Sequence, residues 1–312
     1  MRIGKMTGLA LMAASFCSAQ MLPAVSGAGY QLPTPITVAP GQVITFFVQG
    51  IGLNLTGPVY ASETPLPTTL AGISATLKQV NPDRAGPVLA VQPISICSGP
   101  PRTGCGRYTG VTVQLPFEML ADNPDTSLGT LIGGARLVFS ENGVAIPEVE
   151  LDTLVDQIHI LRMCDLLYAK PGYDCSPVAT HSDGSIIGVD HPAKAGEEIV
   201  LYAFGLGNTM PTVPTGAAPT APAPVFLPFR ASFDPRSNAA PSKPPASSPA
   251  PLFDGVTPGF VGLYQINVQV PRLPPGSPAC SPSLVPIGSN LTVNVAGPAS
   301  FDGAAICVQP EN

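Results

Sequence analysis

Gly259-Phe-Val-Gly-Leu-Tyr-Gln-Ile-Asn-Val-Gln-Val-Pro271 decides the fold. Tyr264, Ile266, Val268 and Val270 alternate with Gln265, Asn267 and Gln269. A period of two sets one row against a core and the other toward water, as in a half-buried strand. The run occurs a second time at Gly106–Pro116, G-R-Y-T-G-V-T-V-Q-L-P. There Val111, Val113 and Leu115 stand 155 residues before Ile266, Val268 and Val270, and Gln-x-Pro closes both copies.

Working outward, a second pair of segments keeps the same spacing. Gly41, the β-rich run Val43–Gln49 and Gly50-Ile51-Gly52 answer to Gly196, Ile199–Phe204 and Gly205-Leu206-Gly207, again 155 residues on. Two separate matches at one offset predict two related units. The units close alike, with Ala135–Ser140, a turn at Asn142-Gly143 and Val144–Leu151 in the first, and Leu291–Val295 and Ala304–Val308 in the second. Gln157–Leu161 is assigned to the first unit. Charged residues are only 11% and prolines number 39, with no tryptophan. Few charges, many turn residues and short alternating runs predict an all-β chain. Thr209–Pro251 is an insertion rich in Pro, Ala and Ser; Val225–Phe233 reads as a strand within it, and Pro241–Pro251 as an extended, poorly ordered loop.

Arg2 and Lys5 precede the apolar run Met6–Phe16, and Cys17-Ser18-Ala19 offers small residues before a cut near Gln20, or alternatively after Ala28. This is the pattern of a signal peptide over 1–19, followed by a lead-in over 20–27. Domains are expected over 28–161 and 162–312. Without Arg2 and Lys5 the chain carries 12 basic against 20 acidic residues, near −8, with no basic patch for nucleic acid. The apolar run is short for a bilayer span, and no transmembrane segment is expected in the mature chain. Six cysteines remain: Cys97, Cys105, Cys164, Cys175, Cys280 and Cys307. Six allow 15 pairings; locality favours 97–105, 164–175 and 280–307.

Ala193-Lys-Ala-Gly-Glu-Glu-Ile-Val-Leu-Tyr-Ala-Phe-Gly-Leu-Gly207, Pro219 and Thr257–Pro271, with Thr180-His-Ser-Asp-Gly-Ser185 upstream, resemble the Solibacter-type C-terminal domain of bacterial exported proteins. The resemblance covers Ser176–Gln309, and the first unit matches more loosely. It implies an exported, Ig-like β-sandwich of unknown biochemical role; with the repeat read from the 155-residue offset, the expected fold is two tandem Ig-like β-sandwich domains related by an internal repeat. The resemblance transfers no catalytic, cofactor or metal residues.

The candidates for chemistry each have a plain structural reading. Gly50-x-Gly52 and Gly205-x-Gly207 lack the third glycine and helix of a dinucleotide loop and read as tight strand exits. His181, Asp183, Asp190 and His191 could hold a metal, but Asp183-Gly184 is also a turn signal. Glu148, Glu150 and Asp152 alternate, so an extended chain puts three carboxylates on one face, for calcium or for water. Tyr60, Tyr108, Tyr168 and Tyr173 are the candidate platforms for sugar stacking. No cofactor and no enzyme activity are expected. The expected role is an exported, non-catalytic module for binding, adhesion or display. Its partner would be an envelope component, an extracellular protein or a glycan, met by the Cys97–Cys105 loop or by Thr209–Pro251. The alternatives are a polysaccharide-acting hydrolase using Glu148, Glu150 or Asp152, and a structural spacer.

Overall fold

The computed structural model describes residues 24–29, 35–79, 82–98, 104–123, 134–146, 148–165, 175–281 and 288–310; the side chains of 97, 98 and 104 lie outside this set. Residues 1–19, read as the signal peptide, also lie outside it, as do Tyr168 and Tyr173.

Every regular element among the described residues is a strand. The first half holds β1 (Ala24–Ala28), β2 (Ile36–Val38), β3 (Val43–Gln49), β4 (Val59–Tyr60), β5 (Thr69–Leu70), β6 (Ile73–Lys78), β7 (Arg84–Gly86), β8 (Val88–Ser98), β9 (Gly104–Gln114), β10 (Ala135–Glu141), β11 (Val144–Ala145) and β12 (Val149–Thr153). They form one sheet in the order β1-β3-β9-β8-β4 and a second in the order β2-β12-β10-β6-β5. The second half holds β13 (His159–Ile160), β14 (Ala179–His181), β15 (Glu198–Phe204), β16 (Ala223–Pro224), β17 (Arg230–Asp234), β18 (Phe253–Val256), β19 (Tyr264–Gln269), β20 (Leu291–Ala296) and β21 (Phe301–Ile306). Its sheets run β13-β15-β19-β18-β16 and β17-β20-β21.

In the first half the inner rows of both sheets share one core, where Phe46 of β3 meets Phe139 of β10 with ring centroids 5.4 Å apart. Each such ring contributes roughly 2–3 kcal/mol by leaving water. A separate core joins Leu201 and Ile266 of one second-half sheet to Val293 and Ile306 of the other. The spacing read in the sequence recurs in the pairing. β3 pairs β9 antiparallel from Val43↔Gln114 to Val48↔Thr109, and β15 pairs β19 from Glu198↔Gln269 to Ala203↔Tyr264, each residue displaced by 155. The parallel contacts Val38↔Thr153 and Ala193↔Val308 keep the same displacement. So do the turns before the strands: the Ala39 amide donates to Gln42 Oε1 and the Lys194 amide to Glu197 Oε2, both at 2.8 Å.

Four features differ from the sequence reading. The lead-in is a strand from Ala24 onward: β1 pairs with β3, with Gly27 opposite Phe47 and the buried Ala28 opposite Phe46. Gln157–Leu161 joins the second half, because His159 and Ile160 pair with Phe204 and Ala203, and Ile158 and Ile160 enter the second core. Val225–Phe233 is not one strand; β16 ends before it at Pro224, and only its last residues, from Arg230, are in β17. Pro241–Pro251 is held rather than loose, since the Ser242 amide bonds Asn294 and the Pro249 carbonyl accepts the Ala231 amide.

The halves meet across a built joint. Val43, Leu161, Phe204 and Leu263 form a small shared core. The buried Gln114 accepts the Gly216 amide at 2.6 Å, the Leu66 amide donates to the Gly216 carbonyl, and Phe117 inserts into the second core. Cys164–Cys175 and Cys280–Cys307 are disulfides, with Cα separations of 4.7 and 5.7 Å. Disulfides persist in oxidising compartments. Cys105 is disulfide-bonded and stands directly opposite Cys97 in register, while the Cys97 side chain lies outside the described residues.

Candidate functional site

The β8–β9 hairpin is the element that leaves the frame. β3 flanks β9 only from Thr109 to Gln114, and β4 flanks β8 only at Ala90 and Val91. The pairs from Ile94↔Tyr108 to Ser98↔Gly104 therefore continue as a two-stranded ribbon, about 17 Å long at the usual rise per residue. Period-two alternation gives the ribbon two faces. Ile94, Ile96 and Tyr108 share one, with Ile96 exposed; Ser95 and Arg107 share the other. At its base Arg107 donates to the Leu55 carbonyl at 3.2 Å and the Thr109 hydroxyl to the Ile51 carbonyl at 2.7 Å. These bonds brace the ribbon against the exit of β3. The corresponding end of the second half carries no ribbon: β18 is four residues long, and Leu263, beyond its turn, packs at the joint.

The acidic row lies where alternation puts it. Glu150 and Asp152 are exposed, while Leu151 and Thr153 are buried. With Glu148 they line an open cleft of about 980 Å³ beside β1. Arg136 stands opposite Glu150 in register and donates to Glu148 at 3.1 Å, so a cation sits within the row.

The structure brings His181, Asp183 and His191 together and leaves Asp190 exposed. His181 Nδ1 bonds Glu197, its Nε2 faces the His191 carbonyl, and the two rings lie against each other at a 34° tilt with centroids 4.1 Å apart. Burial pushes the Glu197 carboxyl up, but the bonds from His181 and the Lys194 amide outweigh it and hold the group below the usual carboxylate range. Asp183 is likewise held low by the hydroxyl and amide of Ser185. Among the described residues no three His, Cys, Asp or Glu side chains are placed to hold a metal ion. The cluster closes the turn before β15, with Glu197 in the role of Gln42.

Neither Gly-x-Gly exit leaves room for a phosphate: at Gly52 an added Cβ would lie 2.7 Å from the Thr109 hydroxyl and 2.8 Å from Leu55, and the second exit carries backbone. A Cβ at Gly205 or Gly207, both at positive φ, would lie 2.1 Å from the carbonyl oxygens of Gln157 and Val155. The connecting chain fills the space a dinucleotide would need. A smaller cavity of about 360 Å³ lies at the joint, between Met119 and Leu120 on one side and Leu206 and Phe226 on the other.

Three residues escaped the sequence reading. Asp156, almost fully buried, accepts the amides of Ala299 and Ser300 and the Ser300 hydroxyl, clasping the β20–β21 turn to the connecting chain. Gln114 locks the joint. Asp254, opposite Ile266 in β18, is half-buried, and the loss of water pushes its carboxyl up to about 6. Asp254 follows Phe253 in a run with no alternation, so no local pattern marked it.

No protein-family model matches the chain, and no curated protein matches it. The structure of the Yersinia pseudotuberculosis adhesin InvE is similar at 14% identity and a TM-score of 0.19, over 92% of this chain and 58% of that one. The chain thus spans less than two thirds of the adhesin's length, and a likeness that loose carries no argument about role.

Proposed function

We propose that the chain is an exported, non-catalytic module that binds or displays at or outside a bacterial envelope, with the β8–β9 ribbon as its contact element. The observation that carries this reading is the ribbon itself. It is braced at its base, unflanked along its length among the described residues, and mounted on two halves joined by a shared core. A stiff frame that presents one projecting hairpin meets partners through that hairpin rather than through its core. The disulfides fit an exported chain.

The sheet orders support tandem Ig-like domains in the same reading. In each half one sheet sets the first long strand beside the strand of the repeated motif, and the other holds the closing hairpin; this corresponds to the two-sheet, Greek-key order of that sandwich. The resemblance to the Solibacter-type domain belongs to the same proposal. The hydrolase alternative is weaker at Glu148, Glu150 and Asp152, because acid–base pairs need contrasting environments and these groups share one exposed face with Arg136.

A screen of the mature chain against glycans and purified envelope fractions tests the reading. Saturable binding is expected, weakened about tenfold or more by Ile96→Asp or Tyr108→Ala, the loss typical of a contact hot spot. Turnover of a polysaccharide that is abolished by Glu148→Gln or Glu150→Gln, with folding intact, would overturn it.

A further inference from the structure

All six residues of β20 are buried, on both faces. Leu291, Val293 and Val295 face the core. Thr292 and Asn294 lie on the outer face, at 0% and 2% exposure. A strand in a two-sheet stack ordinarily turns its outer row to water, as β10 does at Arg136. What covers β20 is the chain's own segment 235–251, which carries five prolines from Pro241 onward.

The contact is specific. The Thr292 hydroxyl donates to the Ala239 carbonyl at 2.9 Å, and Asn294 Oδ1 accepts the Ser242 amide at 2.9 Å. Pro241 rests on Gly303, where an added Cβ would lie 2.9 Å from the proline ring. Pro244 is buried, and most of the segment around it is exposed. The sheet thus supplies a donor to a carbonyl, an acceptor to one of the segment's amides, and a side-chain-free notch to a ring. Those are the complements of a proline-rich chain, which is already extended and loses little entropy on docking.

We propose that the outer face of β17-β20-β21 is a receptor for an extended proline-rich chain. It is kept filled by residues 235–251 of the same molecule and can take the same segment of a second copy when its own is displaced. Tethering at both ends gives the internal segment a high effective concentration, so the intact chain is self-blocked. The site is separate from the ribbon and does not depend on the role given to it.

The test replaces residues 239–250 by a Gly/Ser stretch of equal length and titrates the disulfide-bonded variant with a synthetic peptide spanning Asn238–Leu252. One saturable site per chain is expected, with about tenfold or weaker binding to the intact chain and about fivefold or greater loss when Asn294→Ala is added. A folded variant that binds no peptide, an intact chain that binds equally well, or indifference to Asn294→Ala would each overturn the proposal. Hydrogen exchange on the otherwise intact chain gives an independent reading. Asn294→Ala is expected to speed exchange at the Ser242 amide about tenfold, with Val293 and Val295 unchanged. Loss of protection throughout β20 would instead make the segment an integral layer of the fold, and would contradict a displaceable cover.

Discussion

At the scale of single residues, two buried polar groups give sharp expectations. Asp254 ionises near its ordinary value of 3.8 when unfolded but only at about 6 in the fold, because burial disfavours its charge. Between those values the folded state holds the extra proton, so stability falls as pH rises from about 4 to about 6. Asp254→Asn is expected to raise stability by about 1–2 kcal/mol at pH 7, allowing for partial exposure, and by nothing at pH 3.5. Urea unfolding at the two pH values checks this; an equal gain at both would show that the ionised carboxylate is not the cause. Tyr264 offers a second case. Its ring is fully buried, its hydroxyl donates to the Gly207 carbonyl, and burial pushes the phenol well above its usual range. Thr109 makes the same clamp in the first half, from its hydroxyl to Ile51. Tyr264→Phe leaves the carbonyl unpaired and is expected to cost about 1–3 kcal/mol in chemical denaturation.

At the scale of elements, the strands around the repeated motif were legible because an apolar core row alternates with a polar row, half-buried in β19 at Gln265 and Asn267 and buried in β9 at Thr112 and Gln114. Val111 and Val113, like Ile266 and Val268, are buried by the alternation that announced them. The same rule was silent for β20. Leu-Thr-Val-Asn-Val-Ala shows a core row, but nothing local reveals that Thr292 and Asn294 are covered by a segment some 50 residues earlier. It also misplaced His159 and Ile160. The run Gln-Ile-His-Ile looks like any closing strand, and only the pairing with β15 assigns it to the second half. β1 escaped because Ala24–Ala28 is short, small and weakly patterned, so its pairing with β3 is a tertiary fact. That pairing gives an expectation for processing. A cut near Gln20 preserves β1, whereas a cut after Ala28 would strip it from the sheet. N-terminal sequencing of the mature chain is therefore expected to read from before Ala24.

At the scale of the whole molecule, the joint decides what the chain can do. Gln114 is fully buried and ties Gly41 of its own half to Gly216 of the other. A frame coupled through such contacts unfolds as one unit. Gln114→Ala orphans the Gly216 amide and is expected to cost about 1–3 kcal/mol and to split one calorimetric transition into two. Two resolved transitions in the unaltered chain would contradict a coupled frame. On the proposed role, this frame presents the ribbon. Replacing Ile94–Tyr108 by Asn-Gly joins Pro93 to Thr109, which already stand opposite each other, through a favoured two-residue turn. It also removes Cys97 and Cys105 together. The most direct measurement is the affinity of this shortened chain for whichever glycan or envelope fraction the full chain binds. Loss of binding with an unchanged melting temperature is the expected result; undiminished binding by the shortened chain would show that the ribbon is not the contact element.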